Sequence, residues 1–184
     1  SPILLLIALL VRINLGSPII FKQHRPGMNE RIFTMYKFRT MTDERDPTDE
    51  LLPDSVRLTS FGRFLRSTSL DELPELLNIL KGDMSFIGPR PLVTEYLPYY
   101  TDEERTRHSV KPGLSGLAQI NGRNIASWEQ RFRYDIDYVN NITFFGDLKI
   151  IVKTMLKVIK RDDIGEIGVD APVDFDQYRQ AEFN

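Results

Sequence analysis

The sequence predicts an α+β fold, mainly helical with one small β-hairpin, preceded by an apolar helix that enters a membrane without spanning it. Three patterns carry this expectation. Residues 3–11 (ILLLIALLV) are nine consecutive apolar residues at the start of the chain. Residues 18–24 (PIIFKQH) and 32–39 (IFTMYKFR) read as strands around the turn chemistry of Arg25-Pro26-Gly27-Met28-Asn29. Apolar residues then recur at helical spacing over 73–80 and 144–159.

A spanning helix needs about 20 apolar residues, so residues 3–11 fall short. No basic segment precedes them and no small-residue cleavage site follows, which argues against a signal peptide. A buried core helix is the plainer alternative, but core helices of small domains show an amphipathic stripe, and no polar face interrupts this run. Ser1-Pro2 is a helix-breaking pair, and the start at Ser1 without a methionine points to an upstream piece. Residues 1–17 are therefore read as the second half of a re-entrant membrane helix and its exit. Arg12, Lys22 and Arg25 would hold that exit on the cytoplasmic side.

In the hairpin, Phe33, Met35, Lys37 and Arg39 share one face of the second strand, and Ile32, Thr34, Tyr36 and Phe38 the other. Lys22, Arg25, Arg31, Lys37 and Arg39 stand against Glu30. A solvated hairpin and a phosphate-facing basic ribbon both fit. Residues 42–55, polar with Pro47 and Pro53, form a loop. Thr59 caps a short helix that carries Arg63 and Arg66. Leu73, Leu76, Leu77 and Leu80 mark a second helix, ended by Gly82. Residues 84–92 (MSFIGPRPL) form a rigid loop in which Pro89 and Pro91 fix the backbone around Arg90; residues 94–108 are helical. Residues 111–123 (KPGLSGLAQINGR) read as a glycine-rich loop that can bring N–H groups to phosphate. Phe144, Phe145, Leu148, Ile151, Val152, Met155, Leu156 and Ile159 form the stripe of the clearest amphipathic helix, with Lys149, Lys153, Lys157 and Lys160 off it. Core packing is the default account of the stripe, and docking on anionic lipid the sharper one.

With 184 residues, 41% hydrophobic and 27% charged, the chain can bury one good core and is not disordered. Residues 18–160 are assigned to a single domain and 161–184 to an acidic tail. The absence of cysteine excludes disulfide scaffolds, thiolate metal sites and cysteine nucleophiles. Two histidines, His24 and His108, are too few for a histidine metal cage. The tail is acidic while the body is mildly basic, too weakly for duplex nucleic acid but suited to a small anionic ligand or an anionic membrane surface.

The chemistry-bearing stretch is 66–74 (RSTSLDELP). Placing a helix cap at Asp71 puts Pro74 in the first turn, where no donor is needed. Asp71 and Glu72 then lie at the positive end of a helix. Capping alone accounts for them. The functional account is that one carboxylate attacks phosphorus while helix N–H groups and Arg66 hold the phosphate oxygens. Asp135-Ile136-Asp137 is a rival D-x-D pair for a divalent ion, but positions i and i+2 of a helix do not face each other, so it is read as a solvated helix face.

The run SLDELPELLNILKGDMSFIGPRPL, preceded by FKQHRPGMNERIFTMYKFRTM and followed by KPGLSGLAQINGR, resembles the bacterial sugar transferase family. These are monotopic phosphoglycosyl transferases, and the likeness to the small PglC-type members runs from about residue 1 to 160. The resemblance implies a bacterial inner-membrane enzyme, monotopic, with its catalytic domain on the cytoplasmic face. Such an enzyme transfers a sugar-1-phosphate from a UDP-sugar to a polyprenol (undecaprenol) phosphate, giving polyprenyl-diphosphate-sugar and UMP, as the first membrane step of glycoconjugate assembly. It implies Asp71 as nucleophile and Glu72 as its dyad partner, both at Mg²⁺. Arg66 falls on a residue implicated in the site, and Pro89, Arg90 and Pro91 on a binding loop. Lys37, Arg39 and Arg123 are added as further phosphate-neutralising candidates. The implied partners are a UDP-sugar, polyprenol phosphate and membrane lipid, with no nucleic acid; a homodimer is left open. A non-catalytic membrane-surface module that binds phosphorylated lipids is the alternative from a different class, and a metal-dependent glycosyltransferase using Asp135 and Asp137 a third.

Overall fold

Helix α1 (Pro2–Leu15) opens the computed structural model, which describes residues 2–122, 127–160 and 174–182. Ile7, Val11 and Leu15, spaced four apart, are its buried face and pack with Phe38 and Leu65. Leu4 and Ala8 flank this face half-buried, and Ile3, Leu5, Leu6, Leu9 and Ile13 stay exposed, Leu5 at 74% and Ile13 at 70%. Fourteen residues at about 1.5 Å each give roughly 21 Å, short of a hydrocarbon core. No described helix is long and apolar enough to cross a membrane. Ser1 lies outside the described residues.

Strands β1 (Ile20–Pro26) and β2 (Ile32–Phe38) form the expected antiparallel hairpin, in register from Ile20↔Phe38 to Pro26↔Ile32. β1 runs two residues further than the turn chemistry indicates, because Asn29 and Glu30, at φ 54° and 60°, make the reversal themselves. A short helix α2 (Asp54–Arg57) closes the polar loop. In α3 (Ser60–Ser67) the Thr59 hydroxyl accepts from the Gly62 N–H at 3.0 Å, as predicted. Helix α4 (Glu75–Lys81) ends at Gly82 in the left-handed region.

The loop 84–92 and the glycine-rich stretch pair as strands: β3 (Ser85–Ile87) runs parallel to β4 (Gly113–Ser115). Here two backbones meet so closely that a Cβ on Gly113 would lie 2.1 Å from the Gly88 nitrogen. The Gly113 N–H is spent on the Pro89 carbonyl and the Gly88 N–H on Ser115. The stretch therefore begins as a strand, not as an open loop, and its Leu114, Ser115, Gln119 and Ile120 line a cavity beside the hairpin. Between β3 and β4 the helical region breaks into a 3₁₀ turn at Thr94–Tyr99, helix α5 (Asp102–Arg105) capped by Thr101, and a second turn at Thr106–Ser109.

After α6 (Leu117–Gly122) come α7 (Trp128–Asn140) and α8 (Phe144–Lys160). Core packing does not explain the α8 stripe: Phe144, Phe145 and Ile159 are 77%, 79% and 75% exposed, and Ile150, off the stripe, is the residue α8 buries. Nor is the C-terminus only an acidic tail, because helix α9 (Phe175–Glu182) inserts Phe175 among Tyr96, Tyr100, Trp128 and Phe132.

Candidate active site

A cavity of about 1790 Å³ lies between the hairpin, α3, the 70–72 turn, Arg90 and α8. Its chemistry starts at the turn joining α3 to α4. The expected cap at Asp71 is not made: Ser69 adopts a left-handed conformation (φ 55°), Leu70–Glu72 form a 3₁₀ turn, and Pro74 occupies the N-cap position of α4. Leu70 and Leu73 sink into the cluster around Phe38 and Leu65, leaving the two acids between them to face the cavity. A non-glycine residue in the left-handed region costs about 1–3 kcal/mol, and such strain concentrates at functional sites.

Asp71 and Glu72 are both buried but differently engaged. Glu72 Oε1 meets Lys37 Nζ at 2.7 Å and an Arg90 terminal nitrogen at 2.5 Å. Asp71 has no hydrogen bond or ion pair from the described residues. Burial raises its carboxyl above the usual range and the Glu72 charge adds to this, while Lys37, Arg66 and Arg90 pull it back. A carboxylate left unengaged beside three cations has the chemistry to act as a nucleophile toward a phosphate group.

Lys37 is placed by α4. Asn78, fully buried, accepts from the Tyr36 N–H at 3.1 Å and donates to the Thr34 carbonyl at 2.7 Å, zipping α4 onto the free edge of β2. Arg66 leaves the last turn of α3, its Nε bonded to Thr40 Oγ1 at 3.0 Å. Pro89 and Pro91 are buried and outside the cavity wall; they fix the backbone from which Arg90 reaches in. Arg39 lines the cavity but is committed to the Ser17 and Met41 carbonyls and to Asp43. Arg123 lies outside the described residues.

The sequence reading missed Glu75, which is buried with one oxygen 3.3 Å from Lys37 Nζ; burial and the Glu72 charge raise its carboxyl above the usual range. Its spacing of three from Glu72 was the available signal. The D-x-D pair is divided: Asp137 is exposed, whereas Asp135 is buried against Arg107 at 2.8 Å and is no solvated face. No group of three or more acid or histidine ligands occurs among the described residues. Two carboxylates beside a phosphate are nonetheless the donor set Mg²⁺ commonly takes.

A family model described as bacterial sugar transferase matches residues 1–161. The chain is 57% identical over 164 residues to the uncharacterized sugar transferase EpsL of Bacillus subtilis, covering 89% of this chain and 81% of that protein. It is 40% identical over 164 residues to the undecaprenyl-phosphate galactose phosphotransferase of Salmonella typhimurium, covering 80% of this chain and 34% of that protein. It is 42% identical over 167 residues to the UDP-glucose:undecaprenyl-phosphate glucose-1-phosphate transferase of Klebsiella pneumoniae, covering 85% and 36%. The chain thus spans about a third of the length of the last two proteins.

Proposed function

Because the chain belongs to the bacterial sugar transferase family, we propose that it transfers a sugar-1-phosphate from a UDP-sugar to a polyprenol phosphate such as undecaprenyl phosphate. The observation that supports this most is the unengaged, buried Asp71 carboxylate facing a cavity ringed by Lys37, Arg66 and Arg90. In the first step an Asp71 oxygen attacks the β-phosphorus of the donor. The bond from that phosphorus to the bridging oxygen breaks, and UMP leaves with the electron pair. An aspartyl phospho-sugar remains. In the second step a phosphate oxygen of the polyprenol phosphate attacks the same phosphorus, the acyl-phosphate P–O bond breaks, and the Asp71 carboxylate is restored. Neither step needs a proton removed, since the attacking and leaving groups are phosphate or carboxylate anions.

Arg66 and Arg90 neutralise the diphosphate, and Lys37 together with Arg90 holds Glu72 oriented beside Asp71. Mg²⁺ would be held by Asp71, Glu72 and substrate phosphate, and would supply further charge neutralisation at the transferring group. The cavity wall continues from Asp71 to Ile151, Met155 and Val158 of α8, an apolar path for a polyprenyl chain. The exposed stripe of α8, edged by lysines, and the apolar face of α1 would rest in the membrane interface on its cytoplasmic side.

The test is intact-protein mass after mixing the detergent-solubilised protein with Mg²⁺ and a panel of UDP-sugars, without polyprenol phosphate. The reading expects an adduct of sugar-phosphate mass, accompanied by UMP and absent in Asp71→Asn. UMP formed only when polyprenol phosphate is added, with no adduct, would overturn the covalent route. Release of UDP would point to a conventional glycosyltransferase. Salt-sensitive vesicle binding with no nucleotide product would leave a lipid-binding module.

A further inference from the structure

Arg107 and Asp135, 28 residues apart in sequence, form an ion pair with side chains only 2% and 5% exposed. Arg107 donates to Asp135 Oδ2 from Nε at 3.0 Å and from a terminal nitrogen at 2.8 Å. Its other terminal nitrogen reaches the Tyr100 hydroxyl at 3.3 Å. The nitrogen that meets Asp135 also donates to the Arg90 carbonyl at 2.7 Å.

Stability alone is a poor account of this arrangement. Burying both charges costs desolvation about as large as their attraction returns, and a hydrophobic pair of similar volume commonly does as well. What a hydrophobic pair could not do is hold the carbonyl of Arg90. That residue lies between Pro89 and Pro91, neither of which can donate a backbone N–H, and its guanidinium ends 2.5 Å from Glu72 beside Asp71. A continuous chain of contacts therefore runs from Asp135 through Arg107 and the Arg90 backbone to Glu72.

We infer that Arg107, oriented by Asp135, is a positioning residue for the transfer proposed above: it holds the Arg90 backbone so that the Arg90 guanidinium stays on Glu72 and on the incoming phosphates. The inference rests on that reading for its kinetic consequence, but not for the coupling between Arg107 and Arg90. A lysine at 107 would keep the charge near Asp135, yet as a point donor it could not reach Asp135, Tyr100 and the Arg90 carbonyl together. Asp137, exposed on the same helix, has no part in it.

The test compares wild type, Arg107→Lys, Arg90→Gln, their combination, and Asp137→Asn as control. UMP release and the NMR signal of the Arg90 Nε–H group, identified by its loss in Arg90→Gln, are both read. Arg107→Lys should lower kcat/KM by roughly 10- to 100-fold, the order expected for a displacement of about 1 Å. It should do little more once Arg90 is already Gln, because the two changes act through one group. The Arg90 signal should shift or broaden in Arg107→Lys and match wild type in Asp137→Asn. An equal loss in both Arg90 backgrounds, or an unchanged Arg90 signal, would overturn the inference. Wild type that releases no nucleotide would refute the transfer reading, and the Arg90 signal would still decide the positioning. Should Arg107→Lys not fold, Asp135→Asn, which keeps the size and an acceptor oxygen, is scored by the same coupling.

Discussion

Replacing Gly62 with alanine tests whether the site is held by the contact of α3 with the end of the hairpin. Gly62 is buried in α3 against the backbone of Thr40, whose hydroxyl receives Arg66 Nε from one turn further along the helix. A Cβ at 62 would stand 1.9 Å from the Thr40 carbonyl oxygen and 2.8 Å from its carbonyl carbon. Both obstacles are backbone, so no rotamer change relieves them. The helix would have to retreat by about 1 Å before the contact reached even 3.0 Å, and Arg66 would travel with it. Overpacking of this kind costs about 1–3 kcal/mol. In a domain of this size that lowers Tm by about 2–4 °C per kcal/mol, or roughly 2–12 °C in all. A displacement of about 1 Å in a phosphate-neutralising group should lower kcat/KM for UMP release by up to about 100-fold. Thermal melts and a UMP-release assay on the folded variant measure the two effects separately. Wild-type values for both would refute the reasoning entirely. A lowered Tm with full activity would show that the position of Arg66 is not set by this contact.

Three further outcomes follow from burial and charge. Burial lifts the Asp71 carboxyl above its ordinary 3.8, so the folded chain holds that proton more tightly than the unfolded one; stability is lost as pH rises from about 3.8 through the raised value and is level above it. Asp71→Asn removes this loss, so its urea midpoint should gain on wild type as pH rises above about 3.8 and then hold that gain; a constant difference at every pH would refute the account. Phe175→Ala, at a fully buried ring in the aromatic cluster, should cost about 3–5 kcal/mol in urea unfolding; a cost under about 1 kcal/mol would mean that α9 is not part of the folded unit. Ile150→Ala should cost about 2–5 kcal/mol, whereas Ile159→Ala, at an exposed position, should stay within about 0.5 kcal/mol while weakening binding to anionic vesicles. Equal destabilisation by the two would contradict the assignment of the α8 faces.

Local chemistry was legible in the sequence wherever one residue acts on its immediate neighbours. The hairpin follows from alternation around Pro26-Gly27, the start of α3 from the Thr59 hydroxyl, the end of α4 from Gly82, and α8 from its apolar spacing. The acids and cations at Asp71, Glu72, Arg66, Arg90 and Lys37 were legible too, as residue types suited to phosphate in motifs of known likeness. Periodicity shows that a helix has an apolar face but not what that face meets, so the exposure of the α8 stripe was not to be had from spacing.

Tertiary structure decided the rest because the deciding contacts join residues distant along the chain. Asp71 is left unengaged, and not used as a cap, because Ser69 turns the chain and two leucines anchor the acids between them. β3 and β4 pair only because Gly88 and Gly113, 25 positions apart, let two backbones touch. Arg107 and Asp135 stand 28 residues apart, and a buried charge pair of that kind has no period or spacing to announce it. Sequence thus determined which chemistry the chain can carry; the fold determined which of its charges are spent on one another, as at Arg107 and Asp135, and that the Asp71 carboxylate is not among them in the described residues.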